Sequence, residues 1–204
     1  MIQCVAIFAG GEGRRIRGSE FLPKPFIDIN GKPLVRRVSD QLLKLTSANR
    51  LALLTCSCNY SAHDYIGDAF RDINLSICEE SQMTGKLPAM KFFFDKNPGI
   101  HRCLFANADT LFLDENALLD SLTNVPLNSD IPCVFLANPD KTRSDYREVT
   151  LSINGTLLAL QNSGVFVANR SWTFTYHRQS IRPYVMGLDD VLLSEGMSDF
   201  VVVN

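Results

Sequence analysis

The 204-residue chain lacks any apolar run long enough to cross a bilayer. Stretches such as Leu51-Ala52-Leu53-Leu54 and Phe92-Phe93-Phe94 fall far short of the ~20 residues that a spanning helix needs. It also lacks an excess of charge of either sign. Twenty Lys and Arg stand against 22 Asp and Glu, a formal net charge of -2. No general basic field therefore draws the protein to nucleic acid or to an anionic membrane, and any phosphate binding must be local. The start, Met1-Ile2-Gln3, has no basic residues of the kind that open a secretion signal, so the expected location is the cytoplasm. Zinc-site spacing is missing too. Cys56-Ser57-Cys58 has no second pair, and His63, His101 and His177 do not cluster with it. Most of the six cysteines sit in apolar, strand-like runs, where reduced thiols serve as small hydrophobes, and buried free thiols are expected. With 46% hydrophobic residues and no repeat, low-complexity tract or linker, the chain is not a disordered tail, and residues 1–204 read as one domain.

What is present is an alternation of strand and helix signals, the pattern of a mainly parallel sheet covered by helices. A strand over Gln3–Phe8 runs into a glycine-rich turn and then a basic, proline-punctuated loop to Pro25. Pro33 suits the first turn of a helix whose Leu34, Val38, Leu42 and Leu45 recur at helical spacing. Strands are expected at Leu51–Cys56, Ile73–Cys78, Arg102–Ala106, Cys133–Leu136, Val165–Ala168 and Phe200–Val203. Helices are expected over Ser61–Arg71, Gly85–Phe94 with an early interruption at Pro88, Asp114–Leu122 and Leu188–Glu195. Asn154-Gly155 between Val149–Ile153 and Thr156–Leu160 predicts a hairpin, which would add antiparallel pieces to the sheet.

The strongest chemical signal is Ala9-Gly10-Gly11-Glu12-Gly13-Arg14-Arg15, followed by Leu22-Pro23-Lys24-Pro25. Glycines directly after a strand let the backbone approach a polyphosphate and turn several N–H donors toward it. The run is neither a Walker loop, which ends in Gly-Lys-Ser/Thr, nor the dinucleotide fingerprint, because arginine replaces the third glycine. Arg15 and Lys24 beside that turn suit a reaction that develops charge on phosphorus and on departing pyrophosphate. Asp109, in Asn107-Ala108-Asp109-Thr110 after a buried strand, is a natural ligand for Mg²⁺, which takes one or two carboxylates together with substrate phosphates. Ligands of open α/β sheets bind at the carboxyl ends of strands, so the glycine turn and Asp109 are expected to face one pocket.

These segments, with Phe26-Ile27-Asp28-Ile29-Asn30-Gly31-Lys32-Pro33-Leu34, resemble the signature of the sugar-1-phosphate nucleotidyltransferase family, nearest to its heptose- and mannose-1-phosphate guanylyltransferase-like members. The likeness spans residues 3–169, with a weaker echo in 187–204. It implies a three-layer α/β/α Rossmann-like fold with a mainly parallel mixed sheet, a Mg²⁺ cofactor, and NTP and sugar 1-phosphate as substrates. NDP-sugar and polysaccharide biosynthesis would be the setting. Ala9, Gly10, Gly11 and Gly13 would then hold the triphosphate, with Arg15 and Lys24 neutralising it and Asp109 binding the metal. Gln82, Thr84 and Gly85 fall where relatives carry a Glu-Pro-Leu-Gly-Thr-Gly stretch near base and ribose. Asn162, in Asn162-Ser163-Gly164-Val165, matches an asparagine that touches the sugar, with a structural role equally open.

The chain departs from the family pattern at four places. Arg14 stands where a small hydroxyl residue is usual, and Met83 and Lys86 replace glycines of the base-side loop. The Glu-Lys segment by which relatives hold the sugar phosphate has no counterpart between Gly155 and Asn162. The segment ending in Asn204 stops about where relatives supply a second metal carboxylate. Arg143, Arg147, Arg170 and Arg182 read as ordinary surface charge, with a role toward an acceptor phosphate open. Three functions follow as expectations: an active transferase making an NDP-sugar, a non-catalytic nucleotide- or nucleotide-sugar-binding relative, and a transferase for another phosphate such as phosphocholine. Neither nucleic acid nor membrane is expected as a partner, and homo-oligomerisation is left open.

Overall fold

The computed structural model describes residues 2–11, 22–111, 115, 116, 119, 133–137, 149–153, 156–160, 162–170 and 200–203, and beyond residue 119 it describes little more than backbone pairing. Four parallel strands form one side of its main sheet: β1 (Cys4–Phe8), β2 (Leu51–Cys56), β3 (Leu75–Glu80) and β4 (Arg102–Asn107). β5 (Cys133–Ala137), β8 (Asn162–Asn169) and β9 (Phe200–Val203) extend the sheet to the order β3-β2-β1-β4-β8-β5-β9. β8 runs antiparallel to both β4 and β5. The order reverses at β1, because β2 and β3 lie on one side of it and β4 on the other.

Both faces are covered, and side-chain alternation along the strands explains how. Val5, Ile7, Leu51, Leu53, Leu104 and Ala106 point to one face, where they meet Val35, Val38 and Leu42 of α1 (Leu34–Thr46) and Phe70. Cys4, Ala6, Ala52, Leu54, Cys103 and Phe105 point to the other, against Leu87, Met90, Phe93 and Phe94 of α3 (Lys86–Lys96). The result is the expected three-layer α/β/α arrangement. Phe93, Phe94 and Phe105 lock that second core with ring centroids 5.2–5.8 Å apart, in tilted and edge-on geometries that aromatic quadrupoles favour.

Several elements differ from the sequence expectation. The helix expected over Ser61–Arg71 is a single α-turn, α2 (His63–Ile66), followed by a 3-10 turn over Gly67–Phe70, because Gly67 takes a left-handed φ of 38°. Pro88 does not interrupt α3. It sits in the first turn, where a missing N–H costs no helical hydrogen bond. β6 (Val149–Ile153) and β7 (Thr156–Leu160) pair as the expected hairpin but form their own two-stranded sheet, so the antiparallel pairing of the main sheet comes from β8. Of the helix expected at Asp114–Leu122 only Glu115, Asn116 and Leu119 are described, as helical, and the one at Leu188–Glu195 lies outside the described residues. Among the described residues no helix is long and apolar enough to cross a membrane.

Candidate active site

The carboxyl ends of the parallel strands are level. Phe8 of β1 is in register with Leu54 of β2 and with Asn107 of β4, and Cys56 of β2 is in register with Glu80 of β3. A cavity of about 640 Å³ opens over these ends, lined by Ala9, Gly10, Gly11, Lys24, Glu80, Gly85, Lys86 and Asp109 among others. It lies where the strand order reverses, the place at which open α/β sheets bind ligands, and its size suits a small-molecule substrate.

The glycine turn is held from behind. Ala9 continues the β1 ladder by donating its N–H to the Leu54 carbonyl at 2.8 Å, and Gly10 then presses on β2: a Cβ there would stand 3.1 Å from the Cys56 nitrogen. Two side chains from the loop after β2 take the turn's carbonyls. The Tyr60 hydroxyl donates to the Ala9 oxygen, and Asn59 Nδ2 donates to the Gly10 oxygen at 2.7 Å. In a trans peptide the N–H points opposite to the C=O, so fixing these carbonyls directs the amides of Gly10 and Gly11 the other way. Neither amide donates to any described group. Paired free amides of this kind form an anion-binding nest. Tyr60 packs among Phe26 and Tyr65, and its burial, with Glu79 nearby, pushes its phenol well above the ordinary tyrosine range, so it stays a donor.

Lys24 opens a 3-10 turn, Lys24–Phe26, bracketed by Pro23 and Pro25 and anchored by Phe26, which is 5% exposed. Asp109 is placed from β4, where the Ala108 N–H donates to the Phe8 carbonyl at 3.2 Å and the Thr110 N–H to the Asn107 carbonyl at 3.3 Å. Across the pocket mouth Lys24 Nζ meets Asp109 Oδ2 in an ion pair, with side-chain exposures of 35% and 42%. Such half-solvated pairs are worth ~0–1 kcal/mol, so either partner can be drawn away by a phosphate or a metal at little cost. Among the described residues no three His, Cys, Asp or Glu side chains gather as a metal cage. One carboxylate open to solvent beside the glycine turn nevertheless fits Mg²⁺, which completes its shell with substrate oxygens and water.

At the other end of the pocket stands Glu80. Its carboxyl is half-buried, and burial raises its pKa while the Thr84 hydroxyl, donating to Oε1 at 2.9 Å, opposes the rise. Gly85 adopts φ 104°, a left-handed conformation that favours glycine, and leads into α3. The Lys86 ammonium lies 5.5 Å from the Phe8 ring centroid, a cation–π contact.

The structure thus brings Ala9, Gly10, Gly11, Lys24, Gly85 and Asp109 to one pocket. Thr84 acts one step back, through Glu80, and Gln82 is exposed and does not line the cavity. Gly13 and Arg15 lie outside the described residues. The backbone of Asn162 pairs with Ala137 at the start of β8, toward the same end of the sheet as Asp109, and its side chain is outside the description. Arg170 follows the opposite end of β8; its guanidinium donates to the Phe94 carbonyl and its N–H to that of His101. Asn59, Tyr60 and Glu80 are the residues that sequence reasoning missed. The first two carry no motif, and Glu80 stood in a recognised stretch without being singled out. Cys56 and Cys58, expected as free thiols, are joined across Ser57 with Cα atoms 5.3 Å apart, a pairing made by the tight turn that leaves β2. Cys4, Cys78 and Cys103 are the buried free thiols expected.

A pocket at the switch point of the sheet, lined both by Gly10 and Gly11, whose amides donate to no described group, and by a lysine–aspartate pair, suits the phosphates of a nucleotide, and the class to which this points is that of the nucleotidyltransferases. The sequence matches the MobA-like NTP transferase domain over residues 5–173, and the chain belongs to that family. In structure it is similar to the inositol-1-phosphate CTP transferase from T. maritima, with a TM-score of 0.76 at 16% identity, covering 99% of this chain and 85% of the other. It is also similar to HddC from Yersinia pseudotuberculosis in complex with GMP-PN, with a TM-score of 0.71 at 20% identity and coverage of 98% and 89%. A further structure of HddC gives 0.70 at 18% identity, with coverage of 98% and 91%. Among curated proteins none matches the chain in sequence.

Proposed function

We propose that this chain transfers an NMP group from an NTP to a sugar 1-phosphate in the cytoplasm, with Mg²⁺, releasing pyrophosphate and forming an NDP-sugar from one domain spanning residues 1–204. The observation that carries the reading is the Lys24–Asp109 pair set beside the undonated amides of Gly10 and Gly11. The amides of the turn, with Gly13 and Arg15, hold the triphosphate. Lys24 leaves Asp109 for the α-phosphate and stabilises the charge that grows there during in-line attack. Arg15 holds the departing pyrophosphate. Asp109 would bind Mg²⁺, which when present supplies further neutralisation of the substrates' phosphate oxygens. An acceptor phosphate is mostly dianionic at neutral pH, so its own oxygen attacks and no side chain serves as general base. Gln82, Thr84 and Gly85 belong to the nucleoside side, and Asn162 to the sugar.

The acceptor is the point at which this chain differs from the pattern it resembles. Residues 156–160 are strand and β8 begins at Asn162, which leaves no span there for an acceptor-holding segment. Pyrophosphate release by the full-length protein is therefore measured with four NTPs against hexose and heptose 1-phosphates and phosphocholine. Turnover with a sugar 1-phosphate, lost in Asp109→Ala with the fold intact, is the expected result. Turnover only with phosphocholine overturns the acceptor, and NTP binding without turnover on any acceptor marks a binding protein instead.

A further inference from the structure

We infer that the Cys56–Cys58 disulfide is a thiol–disulfide exchange site, opened by a dithiol reductant, and that opening it loosens the glycine turn and weakens nucleotide binding. The inference rests on the functional reading above and adds to it a covalent control of the same pocket. The bond lies directly behind the turn. Cys56 ends β2 and lines the cavity, and its backbone nitrogen is the atom that a Cβ on Gly10 would approach most closely, at 3.1 Å. Past Cys56 the chain turns, and the Asn59 and Tyr60 N–H groups donate to the Cys56 carbonyl at 3.1 and 3.4 Å. The disulfide closes this turn from Cys58, the residue before Asn59. Asn59 and Tyr60 are the side chains that hold the Gly10 and Ala9 carbonyls. One covalent bond therefore braces both of the groups that set the direction of the glycine amides.

The two sulfurs differ in access. Cys56 is 2% exposed, whereas Cys58 is the exposed cysteine among the described residues. An incoming thiolate therefore attacks Cys58 Sγ, the S–S bond breaks, and Cys56 Sγ leaves with the electron pair. The reductant's second thiol then attacks the reductant's own sulfur in the mixed disulfide and releases Cys58. The reductant ends as a disulfide, and its two electrons and two protons end on the Cys56 and Cys58 thiols. Exchange with a disulfide oxidant restores the bond. In the cytoplasm proposed above thiols are kept reduced, and the disulfides found there are mostly transient ones with catalytic or sensing roles, a use that an exposed pair at a substrate pocket fits. The opened loop keeps its backbone hydrogen bonds but not its covalent closure, so Asn59 and Tyr60 must be ordered as the nucleotide binds. Lost pre-organisation of this kind lowers affinity.

The test is calorimetric titration of the full-length protein with each of the four NTPs in Mg²⁺ buffer. The native chain and Cys58→Ser are each measured after oxidised glutathione, after dithiothreitol, and after reoxidation. Alkylation under denaturing conditions with peptide mass mapping reports the state of each cysteine. Cys56 and Cys58 are expected to escape alkylation in the oxidised native chain and to be labelled after dithiothreitol. Reduction is expected to weaken the bound NTP by about 3–10-fold, the scale of one lost hydrogen bond, with recovery on reoxidation. Cys58→Ser should bind as the reduced native chain does and respond to neither reagent. Equal affinity of the oxidised and reduced native chain overturns the inference alone, and so does a Cys58 that is alkylated or glutathionylated after oxidised glutathione instead of bonded to Cys56. A loss on reduction that Cys58→Ser shares assigns the effect to another cysteine and also overturns it. Binding of no NTP in either state overturns the functional reading together with its control.

Discussion

Replacing Gly10 by alanine separates the two jobs of the phosphate turn. The added methyl would lie 3.1 Å from the Cys56 nitrogen, 3.2 Å from the Thr55 carbonyl carbon and 3.4 Å from the Cys56 Cβ. Gly10 is not among the residues with positive φ, so alanine can adopt its backbone conformation and the penalty is one of contact. The atoms it meets belong to a buried strand hydrogen-bonded on both sides, and they have no side-chain torsion by which to move away. Overpacking of this kind costs about 1–3 kcal/mol, and for a chain of this size each kcal/mol lowers Tm by roughly 2–4 °C. A Tm lower by roughly 2–12 °C is expected, with weaker NTP binding as the turn is pushed off Asn59. Gly11→Ala is the control, since a Cβ there meets nothing within 4 Å. Its stability should stay within about 0.5 kcal/mol of the native chain, while its methyl enters the cavity and weakens the nucleotide. Thermal unfolding and NTP titration of both variants provide the assay. A Gly10→Ala protein with native Tm and native affinity would refute the tight seating of the turn on β2.

Lys24→Met should move Tm by no more than a few degrees, because a half-exposed ion pair contributes ~0–1 kcal/mol, yet reduce kcat/KM by about 100-fold or more through loss of charge at the reacting phosphate. Steady-state kinetics beside a melting curve separates the two effects. Tyr60→Phe removes the hydroxyl that holds the Ala9 carbonyl and should cost about 1 kcal/mol of stability together with nucleotide affinity, read by urea unfolding and by titration. Asp72 provides a pH test. The Arg36 guanidinium donates to both of its oxygens, at 2.6 and 2.8 Å, and draws its pKa from 3.8 to about 2. A depressed carboxylate stabilises the fold above its unfolded pKa and loses that contribution as pH falls through the folded value. The Tm difference between the native chain and Asp72→Asn should therefore be full above pH 4 and shrink as the pH approaches 2 in melting curves taken across that range.

Much of this architecture was readable residue by residue, where local chemistry and tertiary need coincide. The run Leu51–Cys56 is apolar throughout because β2 is buried on both faces, and it appears as the strand expected. The Ala9–Gly11 turn, Lys24 and Asp109 carry chemical types that few other positions tolerate, and they meet in one pocket. The misses come from contacts between distant segments. Asn59 and Tyr60 matter because of the backbone carbonyls of Ala9 and Gly10, some 50 positions earlier, and nothing in their local sequence announces it. Pro88 read as a break because its place in the helix depends on where the helix starts, which Gly85 sets through its φ. Gln82 was placed by likeness to relatives alone; it is exposed, and of its stretch Glu80 is among the residues that line the cavity.

The reversal of strand order at β1 divides the pocket along the chain as well as in space. One flank is built entirely from the first 96 residues, through β2, β3 and the start of α3, and the other begins at β4 with Asp109. Substitutions on the early flank can therefore reshape the wall around Glu80 while the later flank, from Asp109 onward, keeps its geometry. The two walls of one pocket thus belong to separate stretches of the chain.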